Sequence, residues 1–313
     1  MNIIFMGTPD FAKKSLEKLI ETKKHNILAV VTNPDRPKGR GRILTASPVK
    51  ELAIKNGIKV LQPEKIKGDT EFINEIKEMD PDLIVVVAYG KILPKEILDI
   101  PKKGAINVHG SILPKYRGAA PIQWALINGD KTTGVTTMYM SEGMDEGDIL
   151  LTHEIPIEED DTSGTLFVKL AEIGADLLIE TIDRIEKGNI EARKQEGDIS
   201  YAPMIHKELA LVNWNSSGCD IVNLVRALNP FMCCHTYIKD KRYKILKAKE
   251  INKEEIDLLI KENDKNIIEN NVFIINNRLF FETFEEFVEI LEIQEEGKKI
   301  LKTLDFLRGN PFN

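Results

Sequence analysis

Four short apolar runs in the first third of the chain constrain the fold more than any other feature. They are residues 3–6, 27–31, 83–87 and 105–108. Segments between them, such as 11–20 and 69–79, repeat apolar side chains at helical spacing. Continuous apolar strands that alternate with helices indicate a parallel sheet covered by helices on both faces. The sequence therefore predicts an α/β, doubly wound, mostly parallel sheet of the Rossmann-like type.

Polar residues and prolines mark where the helices begin. Thr8 before Pro9 predicts a capped helix start, and Ser47 before Pro48 predicts a second one after a long polar loop. Thr162 is positioned to cap a long helix that runs to about Lys187.

The length of 313 residues predicts two domains. We expect a catalytic domain over 1–200 and a smaller domain over 201–313. The second contains short β-rich runs at 243–246, 272–275 and 279–281 and one helical stretch at 219–228, which favours a small β-barrel or sandwich. The charged segment 250–265 is interpreted as a solvated face and connecting loop.

Composition excludes several classes of protein. The chain is 42% hydrophobic and 30% charged, which is typical of a globular protein, and its apolar runs are far shorter than the ~20 residues of a bilayer span. The first residues lack the pattern of a signal peptide, so we expect a cytoplasmic location with no membrane partner. A net charge of −7 argues against coating nucleic acid through overall charge but leaves room for local basic patches. Cysteines and histidines show no metal-ligand spacing, so no metal is expected.

Two polar residues interrupt the apolar strand near residue 107. Strand alternation sends Asn107 and His109 to one side, at the carboxyl end of the strand, where open α/β sheets bind ligands. Farther along, the acidic segment 141–148 contains Gly143 and Gly147, which would let backbone approach a ligand closely around Asp145. The three side chains predict a ligand site.

The sequence around these residues resembles a known family. Asn-Val-His-Gly-Ser-Ile-Leu-Pro-Lys-Tyr-Arg-Gly-Ala-Ala-Pro-Ile at 107–122, with Gly-Met-Asp-Glu-Gly-Asp at 143–148, is similar to the signature of the 10-formyltetrahydrofolate-dependent formyltransferases. The resemblance implies that 10-formyltetrahydrofolate is the co-substrate and that Asn107, His109 and Asp145 form the catalytic trio.

The residue types suit that chemistry. An amine attacks the formyl carbon and gives a tetrahedral intermediate, to whose oxyanion the Asn107 amide can donate a hydrogen bond. His109 can stabilise the oxyanion or move a proton, while Asp145 orients the imidazole and favours its charged form. No covalent enzyme intermediate is required. For the folate, the resemblance implies backbone groups at two strand ends, namely Val87, Tyr89, Gly90, Ser111, Ile112, Leu113 and Pro114.

The acceptor is predicted from other segments. The loop 33–42 contains four cations within seven positions, and it resembles the insertion with which methionyl-tRNA formyltransferases engage the acceptor stem. The C-terminal segment also resembles that group of enzymes, which implies an OB-like barrel and methionyl initiator tRNA as partner. The predicted tRNA-binding residues are Arg36, Lys38, Arg40, Arg42, Lys207, Lys241, Arg242 and Lys244. The basic cluster 239–249 fits phosphate contacts and a solubilising edge strand equally well.

Three alternative functions are compatible with parts of the sequence. Gly7-Thr8-Pro9 is no G-x-G-x-x-G motif, which argues against a dinucleotide-dependent oxidoreductase. A non-catalytic RNA-binding protein would not explain the presence of Asn107, His109 and Asp145 in this pattern. A sugar-nucleotide N-formyltransferase, using the same folate donor, is the alternative enzyme. A monomer is the expected state.

Overall fold

The computed structural model describes residues 1–38, 43–269, 271–309 and 312. The chain divides into two compact units, and both are discontinuous in sequence. The first comprises Met1–Pro121, Thr132–Pro156 and Phe167–Pro203. The second comprises Ile122–Lys131, Ile157–Leu166 and Met204–Asn313. Two short stretches therefore belong with residues much later in the chain, a grouping that local sequence patterns do not predict.

A seven-stranded sheet forms the centre of the first unit, in the order β10-β9-β7-β6-β1-β2-β5. The five strands from β5 to β7 are parallel, and β9 and β10 extend the sheet in antiparallel fashion. Two small pairs, β3-β4 and β8-β11, lie outside this sheet. The strands are β1 (Asn2–Gly7), β2 (Asn26–Val31), β3 (Arg36–Lys38), β4 (Ile43–Thr45), β5 (Val60–Leu61), β6 (Leu83–Val87), β7 (Ala105–His109), β8 (Arg117–Gly118), β9 (Thr132–Tyr139), β10 (Ile149–Pro156) and β11 (Tyr201–Ala202).

Helices accompany the strands of this sheet. They are α1 (Asp10–Thr22), α2 (Pro48–Lys55), α3 (Thr70–Glu78), α4 (Lys95–Leu98), α5 (Pro121–Ile127) and α6 (Ser163–Lys187). The helices α5 and α6 cross from one unit to the other. Alternate residues of the parallel strands face opposite layers, and Ile4, Met6 and Val86 contribute to a core that includes Phe72 and Ile76 of α3.

The opposite face of the sheet is covered closely by α6. A Cβ placed on Gly174 would lie 3.1 Å from Cγ1 of Val108, so a glycine permits the helix to pack at this distance. Val108 thus points away from the face that carries Asn107 and His109. This arrangement puts the two polar residues on the face opposite α6, at the end of the strand.

The helix starts agree with the sequence in two of three cases. Ser47 caps α2 by accepting a hydrogen bond from the Lys50 amide, and the hydroxyl of Thr162 accepts one from the Thr165 amide at the start of α6. The prediction that Thr8 caps α1 is wrong, because Pro9 holds the cap position without a side-chain bond. The hydroxyl of Thr8 instead accepts a hydrogen bond from the side-chain amide of Asn33, at 3.0 Å.

The second unit is built on an antiparallel sheet in the order β12-β13-β17-β16-β15-β14, with β18 paired to β17. Its core contains Tyr243, Leu279, Val288 and Ile290. The elements are a 3₁₀ helix (Lys207–Ala210), α7 (Gly218–Leu228), β12 (Cys234–Ile238), β13 (Lys241–Ile251), α8 (Lys253–Glu262), β14 (Lys265–Glu269), β15 (Val272–Ile275), β16 (Arg278–Glu282), β17 (Phe287–Glu295), β18 (Leu301–Lys302) and α9 (Thr303–Gly309). The predicted fold class, a Rossmann-like domain followed by a smaller β domain, is confirmed.

The interpretation of 250–265 as a connecting loop is wrong. Most of this segment forms α8, which Asn252 caps by accepting a hydrogen bond from the Glu255 amide. Ile256 is the buried residue of this helix and Leu259 packs against the same core cluster, so two apolar contacts among many charged side chains hold the helix. Among the described residues, no helix combines the length and the apolar character needed to cross a bilayer.

Candidate active site

Strand β7 places Asn107 and His109 side by side on one face of the sheet. In the strand register, Asn107 lies between Val86 of β6 and Met138 of β9, and His109 is opposite Thr136. Both side chains are nearly buried, with 9% of Asn107 and 6% of His109 exposed. The pair that strand alternation predicts is therefore present at the carboxyl end of the strand.

The imidazole of His109 is held through both ring nitrogens. Nε2 lies 2.9 Å from the carbonyl oxygen of Tyr116. Because a carbonyl only accepts, Nε2 carries the hydrogen and donates it. Nδ1 faces Oδ2 of Asp145 at 3.6 Å, which is too long for a hydrogen bond, and the two groups form an ion pair only when the ring is protonated. Nδ1 is thus the ring nitrogen left for a reacting group.

Asp145 belongs to the loop between β9 and β10, and its backbone is unusual. Its φ of 54° lies in the left-handed region, which is uncommon for a residue with a Cβ, although aspartate tolerates it better than most. Oδ2 accepts a hydrogen bond of 2.8 Å from the Gly118 amide. Two residues later, a Cβ on Gly147 would clash with the carbonyl oxygen of Tyr139, so this glycine is required by backbone packing.

The side chain of Asn107 makes no hydrogen bond to any residue within the described ranges. A nearly buried amide ordinarily has a partner, and the N–H groups of Asn107 are free to donate to a ligand. Asn107, His109 and Asp145 therefore form a cluster with a free donor, an imidazole and a carboxylate at one strand end. That set can stabilise an oxyanion and move a proton.

The predicted folate turn, Ser111 to Pro114, is fixed by a residue that the sequence did not single out. The hydroxyl of Thr136 donates to the carbonyl of Ser111 at 2.7 Å and accepts from the amide of Leu113 at 3.2 Å. Ser111 in turn donates from its own hydroxyl to the carbonyl of Lys115 at 2.6 Å. These bonds hold the turn beside His109, and Ile112 and Pro114 lie within it.

The second predicted folate segment follows β6. Val87 is fully buried, and the ring of Tyr89 is 2% exposed within the core. Burial raises the pKa of Tyr89 above its usual value of 10.0. The Tyr89 carbonyl accepts a hydrogen bond of 2.9 Å from the Asn33 side chain, whereas Gly90 is exposed with a φ of 76°. The segment therefore offers backbone at Gly90 and no accessible ring at Tyr89.

The basic loop is a β-hairpin at its base. Arg36 pairs with Thr45 and Lys38 with Ile43, in place of the long polar loop that the sequence predicted. Arg36 is exposed, while Arg40 and Arg42 lie outside the described residues. Below the hairpin, Asp35 accepts hydrogen bonds from Lys50 at 2.6 Å and Gln62 at 2.9 Å, and these contacts lower the pKa of Asp35.

The other predicted basic residues belong to the second unit. Lys207 is exposed on the 3₁₀ helix, and Lys241, Arg242 and Lys244 lie on β13. Arg242 faces Glu296, with Nη1 3.4 Å from Oε1. The alternative of a solubilising edge strand is wrong for this cluster, because β13 pairs with β12 on one side and β17 on the other. These cations therefore lie on an inner strand of the sheet and not on its edge.

Three further residues of the site come from positions that sequence reasoning missed. Gln195 bonds the backbone of Asp145, Ser200 accepts from the amide of Tyr116, and Arg117 bonds Gln195. Arg117 lies within the family-like motif, but Gln195 and Ser200 follow α6 in a polar segment without periodicity. No local signal marks them, because their partners are about 50 and 84 residues away in the chain.

Two other features bear on ligands. A cavity of about 360 Å³ borders the start of the Asp145 loop; it is lined by Lys95, Leu98, Asp99, Gly104, Ala105, Tyr139, Met140, Ser141 and Glu142. Within the described ranges, His25, Asp183 and Glu186 offer three possible metal-ligating atoms within 4.8 Å of one another. Lys24 already pairs with Asp183 at 3.0 Å.

Comparisons with known proteins agree with the motif. Residues 1–182 match the family model described as formyl transferase, and residues 204–311 match the model described as formyl transferase, C-terminal domain. A relative from Thermodesulfovibrio yellowstonii named methionyl-tRNA formyltransferase is 49% identical over 99% of this chain and 96% of its own.

Solved structures share the fold at lower identity. WlaRD, a sugar 3N-formyl transferase crystallised with dTDP and 5-N-formyl-THF, has a TM-score of 0.66 and 19% identity, covering 96% of this chain and 99% of its own. HypX from Aquifex aeolicus, crystallised with tetrahydrofolic acid, has a TM-score of 0.62 and 17% identity over 97% of this chain. The present chain spans 46% of HypX, about half of that larger protein. The two family models, which match most of the length of the chain, and the relative at 49% identity show that the chain belongs to the formyl transferase family.

Proposed function

We propose that this protein transfers the formyl group of 10-formyltetrahydrofolate to the amino group of methionyl initiator tRNA. The observation that carries the proposal is the convergence of a free amide, Asn107, with the His109–Asp145 pair at the end of β7. The acceptor is inferred from relatives named methionyl-tRNA formyltransferase, which are 47% to 49% identical over 99% of this chain.

Three residues of the protein have distinct roles in the reaction. The acceptor amine attacks the formyl carbon, and the Asn107 amide donates a hydrogen bond to the oxygen on which negative charge develops. The intermediate then collapses as the bond between the formyl carbon and N10 of the folate breaks. His109 takes the proton of the attacking amine at Nδ1 and delivers it to N10, since Nε2 is committed to the Tyr116 carbonyl. Asp145, whose Oδ2 lies 3.6 Å from Nδ1, balances the charge of the imidazole when the ring is protonated. The amine attacks the formyl donor directly, so no covalent enzyme adduct forms.

The folate is proposed to lie against the turn Ser111 to Pro114 and the segment Val87 to Gly90. Both follow neighbouring parallel strands, β7 and β6, whose carboxyl ends meet at one edge of the sheet. The free backbone at Gly90 and the turn fixed by Thr136 suit recognition of a planar, polar ring.

The tRNA is proposed to contact Arg36 and Lys38 of the hairpin, Arg40 and Arg42 of the segment between its strands in the sequence, and the cations of the second unit. Lys207, Lys241, Arg242 and Lys244 supply positive charge there, as phosphate binding requires. We assign residues 1–200 to the catalytic domain and 201–313 to the tRNA-binding domain. The proposed site of action is the cytoplasm, where charged tRNA is used, and the proposed active form is a monomer.

A sugar nucleotide is the second candidate acceptor, because WlaRD and similar sugar N-formyltransferases share this fold. Their sequence identity of about one residue in five indicates a common fold but does not identify a common acceptor. The relatives named for the tRNA reaction are more than twice as similar.

The experiment offers both acceptors with one donor. The protein is incubated with 10-formyltetrahydrofolate and either methionyl initiator tRNA or a dTDP-linked amino sugar. We expect formylmethionyl-tRNA and no formylated sugar. Formylated sugar in the absence of formylated tRNA would overturn the assigned acceptor while leaving the donor chemistry intact.

A further inference from the structure

Gln195 connects the Asp145 loop to a buried arginine. Its side-chain nitrogen donates to the backbone carbonyls of Asp145 and Gly147, both at 2.8 Å. Its side-chain oxygen accepts from Nε of Arg117 at 3.1 Å and from Nη2 at 2.7 Å. A carboxamide has two N–H donors and one oxygen with two lone pairs, so every hydrogen-bonding position of Gln195 is used.

The orientation of this carboxamide follows from its partners. The Arg117 guanidinium only donates, and the two carbonyls only accept, so the oxygen must face the arginine and the nitrogen must face the loop. Arg117 is 7% exposed, and its Nη1 also lies 3.8 Å from Glu146 Oε2 in the same loop. Gln195 therefore connects the buried Arg117 side chain to the backbone carbonyls on both sides of Glu146. These contacts fix the loop relative to Arg117.

The Asp145 backbone needs such support. Its left-handed φ of 54° is disfavoured for a residue with a Cβ, and a conformation of this kind persists where neighbours over-determine it. The carboxylate of Asp145 is held by the Gly118 amide, and the carbonyl of Asp145 is held by Gln195. Gly118 binds the Asp145 carboxylate, and Arg117 binds Gln195. Because these two residues are adjacent on β8, one short strand supports both contacts to Asp145.

The segment that contains Gln195 also holds His109. The Ser200 hydroxyl accepts from the Tyr116 amide at 2.9 Å, and the Tyr116 carbonyl accepts from Nε2 of His109. The Ser200 carbonyl accepts from the Arg117 amide at 2.9 Å. One short segment, 195–200, thus fixes the backbone behind both members of the His109–Asp145 pair.

We propose that Gln195 is a positioning residue for formyl transfer, which holds the Asp145 loop so that the carboxylate faces Nδ1 of His109. The inference rests on the proposed function, since it requires Asp145 to act in the reaction. Gln195 touches no reacting atom in this assignment. Its effect passes through the carbonyls of Asp145 and Gly147.

The first test is the variant Gln195→Ala, assayed with 10-formyltetrahydrofolate and methionyl initiator tRNA. Misplacing a reacting group by about 1 Å costs on the order of 10²-fold in rate, so kcat should fall by about that factor. Both KM values should change by less than about threefold, because no substrate contact is lost. The matched control is Glu196→Gln, whose side chain is exposed on the same segment and which should keep the wild-type kcat.

The second test separates positioning from a general effect on the fold. In an Asp145→Asn background, Gln195→Ala should lower kcat by less than about threefold, because the carboxylate that it positions is already gone. An independent structural role would instead multiply the two losses and would overturn the proposal. If Gln195→Ala does not fold, Gln195→Glu replaces it in the same cycle, since one carboxylate oxygen still accepts from Arg117 while the other, which cannot donate, faces both carbonyls.

The outcomes distinguish this inference from the function on which it rests. If Asp145→Asn retains near-wild-type kcat, the role of Asp145 fails and the positioning role fails with it. If Asp145→Asn is crippled but Gln195→Ala is not, only the positioning role of Gln195 is overturned. If each single variant lowers kcat and the double variant loses less than the product of the two effects, the result supports both the role of Asp145 and the positioning role of Gln195.

Discussion

Nδ1 of His109 lies 3.6 Å from Oδ2 of Asp145. The two residues come from different elements, the end of β7 and the loop after β9, and each is held by its own backbone partner. The Tyr116 carbonyl fixes the opposite nitrogen of the imidazole, and the Gly118 amide fixes the carboxylate. Because Tyr116 and Gly118 are two residues apart, one turn of chain sets the spacing of the pair.

Removing the charge of Asp145 should therefore impair turnover more than folding. Asp145→Asn keeps an oxygen that can accept from the Gly118 amide but removes the negative charge that supports the imidazole. By analogy with carboxylates that support a catalytic histidine elsewhere, kcat should fall by roughly 10²- to 10⁴-fold. Steady-state assays measure this loss, and Asp198→Asn, at an exposed position, should behave as wild type. Equal activity of the two variants would contradict the role of Asp145.

The proposed tRNA contacts predict a defined salt dependence. Each phosphate contact contributes about one unit to the slope of log K against log salt concentration. Arg40→Ala should weaken tRNA binding, reduce that slope by about one and leave kcat at saturating tRNA unchanged within about twofold. Fluorescence anisotropy with labelled tRNA measures the slope. Lys55→Ala, an exposed lysine on α2, is the matched control, and an equal effect of both variants would argue against a specific contact of Arg40.

Glu250 in the second unit predicts a pH-dependent stability. A hydrogen bond with the Glu286 carboxyl, partial burial and the negative charge of Glu286 raise the pKa of Glu250 from 4.5 to about 7. Between these values the folded chain holds a proton that the unfolded chain has released. This contribution to the free energy of unfolding is therefore complete below pH 4.5 and is lost as the pH rises through about 7.

The variant Glu250→Gln, neutral at every pH, should be more stable than wild type at pH 8 by about 1 kcal/mol, a value reduced for solvent screening. Near pH 4.5 the two proteins should be equally stable. Urea denaturation at both pH values measures the difference, with the exposed Glu254→Gln as control. A difference that does not change with pH would show that Glu250 does not hold the proton.

The sequence predicted those parts of the fold that depend on local periodicity. The apolar runs became β1, β2, β6 and β7, and the alternation within β7 placed Asn107 and His109 together. Ser47 and Thr162 marked helix starts because a cap acts over only three residues. Thr8 failed as a cap because its hydroxyl bonds Asn33, a partner 25 residues away.

The parts that the sequence did not predict depend on contacts between distant segments. Gln195 and Ser200 have ordinary polar neighbours, and their roles appear only when the segment 193–202 lies beside β8 and the Asp145 loop. The ring of Tyr89 is buried for the same reason, since packing between layers decides which side of a loop faces the core. Family resemblance indicated Asn107, His109 and Asp145, the proposed catalytic trio, but it did not identify the residues that hold them.

The free amide of Asn107 provides the most direct test of the account. The rate of formyl transfer from 10-formyltetrahydrofolate to methionyl initiator tRNA is measured in a single turnover, with enzyme in excess, for wild type and Asn107→Ala. Loss of an oxyanion donor should slow the chemical step by about 10²- to 10³-fold. Thermal unfolding should be little changed, because the side chain has no hydrogen-bond partner among the described residues. A single-turnover rate for Asn107→Ala close to that of wild type would contradict the proposed active site.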